Sequence, residues 1–350
     1  MHAEGACRLA HAEPVGGRRR DQVEDLHDAL DAVGGTHART LNVHCPHGKS
    51  DVVTLATASF THRSHAAIEP TRGAAAIVTT RGTHEADLRF AHELADAAAA
   101  VTLAWFGERL PVELKADATP VTEVDRRAER AIRDAIAARF PRDGVLGEEE
   151  GWSDGTSGRR WIVDPVDGTK LYAEGIPLWT TLIALAVDGE TVLGLADAPA
   201  LGARYHACRG EGAWRGSKRL RVSDVETLDA AFVVHSGIDE WIGAGDDDRL
   251  RAVGSRARRT RGLSDAWAHL LVAQGSVEVL LEHEPCQPWD WAATDVIVRE
   301  AGGRITTLDG DAPAIGGDLL VSNGRVHDEV IAVLGSRRAM SEGTTRQEAR

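Results

Sequence analysis

Residues Trp161 to Lys170 read W-I-V-D-P-V-D-G-T-K. Trp161, Ile162 and Val163 are the kind of apolar run that fills a buried strand, and they lead straight into two aspartates three positions apart. Pro165 restricts Asp164 to extended backbone and Gly168 permits a tight turn, so Asp164 and Asp167 are expected to leave one strand end facing a common point. Two carboxylates held a few ångströms apart repel, and at least one takes a raised pKa unless a cation lies between them. With no cysteine or histidine beside them, an all-oxygen donor set points to Mg²⁺, then Mn²⁺ or Ca²⁺, rather than zinc. A polar D-P-x-D-G turn without a ligand is the alternative reading of this stretch by itself.

Other acids stand at similar junctions. Gly147-Glu148-Glu149-Glu150 follows Val145-Leu146, a second short apolar run ending in acid, which alone reads as solvated surface. Thr122 and Asp125 open a helix with the spacing of a capping box. Asp290, after Pro288-Trp289, is expected as the N-cap of a later helix. A helix start offers free N–H groups and a partial positive charge, so a capping role and an anion-binding role can coexist.

Periodicity supplies the frame. Leu88, Ala91, Leu94, Ala95, Ala98, Val101 and Trp105 recur at helical spacing and predict a helix from about 85 that ends by Gly107. A second helix is expected over about 122–139. Strands are expected at 161–164, 180–187 and 191–197, the last two joined by the hairpin signal Asp188-Gly189. Further strands are expected at 204–207, 230–234, 277–281 and 304–307, with helices at 264–274 and 290–301. This mixture implies layered α+β structure rather than a simple parallel series.

Hydrophobic content of 43% and charged content of 27% suit a soluble globular chain, and no apolar run is long enough to span a membrane. The net charge of −14 disfavours nucleic acid as the main partner. Cys7, Cys45, Cys208 and Cys286 lie far apart, which suits reduced thiols and a cytoplasmic location. Residues 1–84 hold most of the fifteen histidines and a single aromatic, Phe60. Their nine basic and nine acidic side chains cancel, so the whole −14 falls on 85–350. The tract His44-Cys45-Pro46-His47 has zinc-type ligands without a second pair, so 1–84 is expected as a disordered extension, 85–335 as the working domain and 336–350 as a disordered tail.

The order G-E-E (147–149), W-I-V-D-P-V-D-G-T (161–169) and W-D (289–290) ahead of a helix ending E-A-G-G (300–303) resembles the inositol monophosphatase superfamily over about 85–335. The resemblance implies a layered αβαβα sandwich and Mg²⁺-dependent hydrolysis of a phosphate monoester. It implies that Glu148, Asp164 and the Val166 carbonyl hold one Mg²⁺ and that Asp164, Asp167 and Asp290 hold a second, with two or three ions per site and Mn²⁺ as a substitute. Asp125 would bind a water on the metal, and Thr169 and Glu148 would orient and deprotonate the attacking water. Asp167 and the N–H groups of Gly168 and Thr169 would receive the phosphate. Lys115 matches a lysine that precedes the helix-opening motif. A homodimer is common in the family. No covalent nucleophile is needed, so Ser153, Ser157 and Ser264 read as turn or cap residues.

Within the superfamily the chain is most similar to the histidinol-phosphatase branch, through G-T-K (168–170), I-P-L-W-T-T-L-I-A-L (176–185), A-P-A (198–200), R-G-L-S-D-A-W (261–267) and P-W-D-W-A-A (288–293). It differs from that branch at Leu171-Tyr172 and Ala266 and is one residue shorter between Glu284 and Asp290. Histidinol phosphate is a cation at its amine, so its pocket needs carboxylates beyond the metal set. Asp265 and Glu284 are the candidates, with Trp289 as a wall. Inositol 1-phosphate or another polyol phosphate is the alternative substrate, and an inactive metal-binding or regulatory module on the same scaffold is the alternative class. His206, His235, His269 and His283 show no ligand spacing and are expected to satisfy local polar groups.

Overall fold

The computed structural model describes residues 84–336, apart from 109–112 and 115–119. The chain divides after Ala75, and every described residue belongs to the second unit. The His44–His47 tract, Lys115, nearly all of the N-terminal extension and the C-terminal tail therefore lie outside the described residues.

In chain order the elements are α1 (Glu85–Trp105), β1 (Glu113–Leu114), β2 (Pro120–Val121), α2 (Glu123–Arg139), β3 (Gly144–Gly147), β4 (Gly151–Ser153), β5 (Arg159–Asp167), α3 (Thr169–Ala173), β6 (Thr180–Val187) and β7 (Glu190–Ala198). There follow β8 (Ala203–Cys208), β9 (Gly212–Arg215), β10 (Lys218–Arg219), β11 (Phe232–His235), α4 (Ile238–Ala244), α5 (Asp247–Gly254), β12 (Arg259–Gly262) and α6 (Asp265–Ala273). The chain closes with β13 (Val279–Cys286), α7 (Pro288–Glu300), β14 (Arg304–Thr306), β15 (Gly317–Ser322) and α8 (327–336). Eight strands form one sheet in the order β10-β9-β8-β7-β6-β5-β3-β4, and five form another in the order β12-β11-β13-β15-β14.

Apolar faces stack these elements into five layers. Phe90, Leu94 and Ala98 of α1 and Ala128, Ile132 and Ile136 of α2 pack on Trp161, Ile183, Leu185 and Leu193 of the larger sheet. Its opposite face meets α6 and α7, which also cover the five-stranded sheet through Val234, Leu280, Leu319 and Val321. Beyond that sheet, Trp241 of α4, Leu250 and Val253 of α5 and Val330 and Leu334 of α8 close the last layer. The order is αβαβα, as the resemblance implies.

The expected hairpin forms at Asp188-Gly189, where both residues take positive φ, 50° and 88°. That geometry matches the right-handed twist of the flanking strands. Gly194 in β7 allows a second close approach, because a Cβ there would overlap the carbonyl of Ala293. Helix α7 thus lies against the larger sheet and carries Asp290 to it.

Two expectations change, and one backbone conformation is new. Strand β5 runs to Asp167 instead of stopping at Asp164, because a register shift between Asp164 and Asp167 takes up Pro165, which has no N–H to give a ladder. Asp290 is the third residue of α7 rather than its cap. Pro288 fills the first turn, where its missing N–H costs nothing, and Gln287 is the N-cap. Asp265 takes a left-handed backbone, φ 56°, at the start of α6. The short strands β4, β9, β10, β12 and β15 and the helices α3, α4, α5 and α8 have too little periodicity to be read beforehand.

Candidate active site

The parallel pair β3 and β5 ends on the same side of the larger sheet, and acids follow both ends: Glu148 after Gly147, and Asp164 and Asp167 on β5. The crevice outside the carboxyl ends of parallel strands is a common ligand position in α/β sheets. Asp290 arrives from α7. One carboxylate oxygen from each of Asp164, Asp167 and Asp290 lies within 4.8 Å of the others, the one such cluster among the described residues.

Each of the three is held by a single oxygen. Asp164 Oδ1 accepts the Val166 N–H at 2.9 Å. Asp167 Oδ2 accepts the Ala266 N–H at 2.9 Å and the Thr180 hydroxyl at 3.0 Å. Asp290 Oδ2 accepts the Gln287 N–H at 2.6 Å. The second oxygen of each receives no hydrogen bond from the described residues. Backbone N–H groups therefore fix the rotamers, and one oxygen of each acid converges with those of the other two, an arrangement suited to a hard divalent cation.

Electrostatics supports the same reading. Burial holds the Asp164 carboxyl well above the usual carboxylate range, and the charges of Glu148, Asp167, Asp290 and Asp125 add to it. Asp167 is also pushed well up, by burial and then by Asp265, Asp290 and Glu282. Asp290 is raised to about 8, by burial first and then by Glu148 and Glu282, against the Gln287 N–H. These groups cannot all ionise near neutral pH without positive charge among them. The donor set thus fits one or more divalent cations.

Asp125 keeps its expected capping box and also meets Thr169. It is fully buried, its Oδ2 closes the capping box with Thr122, and its Oδ1 lies 3.1 Å from the Thr169 hydroxyl. Burial raises its carboxyl against those bonds. Thr169 Oγ1 is also 3.0 Å from the Val166 carbonyl. Gly168 adopts φ 84° at the head of α3, where the first N–H groups of a helix have no partner within it. Val124, Val166, Tyr172 and Trp179 form a buried apolar floor beneath this turn.

The two substrate candidates are near one another. Asp265 Oδ2 would stand 3.4 Å from a Cβ on Gly168, which puts it at the turn between β5 and α3. Burial and Glu282 push Asp265 up to about 7; burial, Glu282, Asp265 and Glu240 push Glu284 up to about 9. Glu284 is partly buried rather than the open surface residue its polar context suggests. Trp289 is partly buried and packs on the central core. Trp267 turns to Tyr205, with ring centroids 6.4 Å apart.

Sequence reading missed Glu282. It is buried on β13, its Oε2 meets His269 Nε2 at 2.8 Å, and its Oε1 has no hydrogen-bond partner among the described residues. His269 Nδ1 continues the chain to the Thr294 hydroxyl at 2.8 Å. The available signal was the alternation of β13, in which Glu282 shares the face of Leu280. The expectation that histidines satisfy local groups holds for His235, His269 and His283. It fails for His206, whose buried Nδ1 has no hydrogen-bond partner among the described residues. Ser264 occupies the N-cap position of α6, but its side chain makes no capping bond.

Comparisons with known proteins agree with this arrangement. The profile of the inositol monophosphatase family matches residues 84–339. A histidinol-phosphatase of Streptomyces coelicolor is 45% identical over 261 residues, 72% of this chain and 97% of that protein. A histidinol-phosphatase of Mycobacterium tuberculosis is 43% identical, over 71% of this chain and 98% of that protein. Among solved structures, an IMPase of Thermotoga maritima superposes with a TM-score of 0.66 at 32% identity, covering 72% of this chain and 97% of that one. The extragenic suppressor protein suhB of Bartonella henselae superposes with a TM-score of 0.67 at 30% identity, covering 71% and 98%. This chain belongs to the inositol monophosphatase family.

Proposed function

We propose that this protein is a phosphoric monoester hydrolase that cleaves L-histidinol phosphate to L-histidinol and phosphate, using Mg²⁺ with Mn²⁺ as a substitute. The observation that carries the catalytic part is the trio of carboxylates, two buried and one partly buried, each pinned by one oxygen and each with an oxygen within 4.8 Å of its neighbours. Glu148, Asp164, the Val166 carbonyl, Asp167 and Asp290 are the proposed ligands, and residues 85–335 the catalytic domain. Bound divalent cations would neutralise phosphate charge and acidify a water.

The protein's own groups have the following roles. The Thr169 hydroxyl, beside Asp125 at 3.1 Å, orients the attacking water, and Glu148 takes its proton. The water oxygen bonds to phosphorus as the ester oxygen leaves, and that leaving oxygen recovers a proton. The N–H groups of Gly168 and Thr169, with Asp167 beside them, receive the phosphoryl oxygens. Asp125 keeps Thr169 in place. Asp265 and Glu284, with Trp289, form the proposed wall for the rest of the substrate.

Substrate choice is supported by carboxyls in excess of those a metal pair needs. Glu282 raises the carboxyls of Asp265 and Glu284, Asp265 adds to Glu284, and the charges of Asp265 and Glu282 act on Asp167 and Asp290. An ammonium group matches that surplus of acid better than neutral hydroxyls do. The relatives of 41–45% identity that carry the name histidinol-phosphatase support the same choice. We extend the proposal to a cytoplasmic homodimer; the buried free thiols Cys208 and Cys286 suit a reducing compartment.

The test is phosphate release from histidinol phosphate, inositol 1-phosphate and fructose 1,6-bisphosphate, with Mg²⁺ and with chelator. A kcat/KM at least about 10-fold higher for histidinol phosphate is expected, the worth of one well-placed charged contact. Preference for the inositol ester would remove the substrate assignment. No release from any ester would favour a binding module.

A further inference from the structure

The turn that carries Glu148 is held from below. Strands β3 and β4 form a tight antiparallel hairpin in which Gly147 faces Gly151, and residues 148–150 make the turn. A three-residue hairpin does not by itself decide where its first side chain points. Glu129 of α2 supplies that constraint. It is fully buried, one helical turn past Asp125. Its Oε2 accepts the Glu149 N–H at 2.7 Å and its Oε1 accepts the Glu150 N–H at 3.0 Å.

Arg133, one further turn along α2, completes the brace. Its Nε donates to Glu129 Oε1 at 2.7 Å, while its two Nη groups donate to the Gly151 carbonyl and, at 2.9 Å, to Ser153 Oγ. A buried carboxylate that accepts two N–H groups and a guanidinium has its charge compensated and its rotamer locked. Gly147 makes room for it, since a Cβ there would overlap the Glu129 carboxylate. The flexible end of a side chain could normally swing aside, but this one would have to release three hydrogen bonds.

We propose that Glu129 is a positioning residue that sets the 148–150 turn and so aims Glu148 at the cation site, with Arg133 as its clamp and Gly147 as the gap that admits it. The inference rests on the reading of Glu148 as a ligand. Residues 125, 129 and 133 then form one polar stripe along α2, serving the water-orienting threonine at one end and the Glu148 turn further along.

The experiment uses the full chain and two substitutions that leave every proposed ligand intact. Glu129→Gln removes the ion pair with Arg133 and turns an amide NH₂ towards one of the two backbone donors. Gly147→Ala keeps all charges and adds one methyl where the backbone is not left-handed, so it tests the geometry even if Glu129→Gln fails to fold. Mn²⁺ binding is measured by calorimetry without substrate, and amide exchange at Glu149 and Glu150 by hydrogen–deuterium exchange. Both variants should bind Mn²⁺ about 10- to 100-fold more weakly, the usual cost of losing an outer partner of a ligand. Protection at those two amides should fall in both while exchange in the core of α2 is unchanged. Parental Mn²⁺ affinity in folded Gly147→Ala would overturn the proposal. Glu148→Gln separates it from the reading beneath it: parental Mn²⁺ affinity there would sink both, whereas weakening there with none in Gly147→Ala would sink the brace alone.

Discussion

On the proposed reading, cation binding must displace protons, and the size of that linkage follows from the site. Burial and neighbouring acids raise Asp290 to about 8 and hold Asp164 and Asp167 well above the ordinary range. A ligand must be ionised to coordinate, so at pH 6 a group titrating near 8 is about 99% blocked and at pH 8 about half blocked. Apparent affinity for Mg²⁺ or Mn²⁺ should therefore fall about 50-fold from pH 8 to pH 6, or about 2 kcal/mol, for the Asp290 proton alone. The apparent values belong to the cluster as a whole, so the measured slope should be at least this steep.

The effect on stability has a fixed sign. In the unfolded chain Asp290 titrates near 3.8, so between that value and about 8 the metal-free folded state holds more protons than the unfolded one. Stability without metal is then fully present below about 4 and is lost as pH rises through about 8. Added cation should reverse that loss. Titration calorimetry in two buffers of different ionisation heat counts the protons released on Mn²⁺ binding, and thermal melts in chelator across the same range read the stability. Affinity that is flat from pH 6 to pH 8, with no proton released, would refute the reasoning.

Further outcomes are expected. Asp290→Asn should reduce turnover by about 10³-fold or more, because an amide replaces an anionic ligand. Its melting temperature in chelator should be unchanged or higher, since the amide oxygen can still accept the Gln287 N–H and one buried repulsion is gone; a folded variant with near-full activity would exclude Asp290 as a ligand. Thr169→Val should lower kcat about 10²-fold with little change in KM, because the hydroxyl beside Asp125 is lost while the backbone N–H groups stay. Gly168→Ala should destabilise the folded chain by about 1–2 kcal/mol, read by urea titration, because φ 84° lies in the left-handed region. Burial and then the charge of His92 push His206 down to about 4, so the folded state resists its protonation and stability should decline as pH falls from about 6.5 to about 4. His206→Phe should flatten that decline in acid-denaturation curves.

Much of the site was legible because its chemistry is local. Asp164, Asp167, Gly168 and Thr169 lie within six consecutive residues, where a proline, a glycine and an apolar run restrict the backbone enough to predict that the acids converge. The capping box of Thr122 and Asp125 is a spacing rule and was met in full. Glu129 and Glu282 were not legible. Each is an acid at a position where sequence alone expects solvent, and each is buried because a residue far along the chain supplies its partner: backbone N–H groups 20 and 21 residues away for Glu129, His269 for Glu282.

The sequence alone determined the element pattern, the acidic junctions and the family resemblance, since all three depend on spacing within short segments. Tertiary structure decided that β5 continues past Pro165 through a bulge and that Asp265 adopts a left-handed backbone beside Gly168. It also decided that Asp290 reaches the β5 acids, through a helix that can lie close only because residue 194 is glycine. Convergence of carboxylates from distant segments against their mutual repulsion depends on packing and buried hydrogen bonds, and those form only when the layers meet.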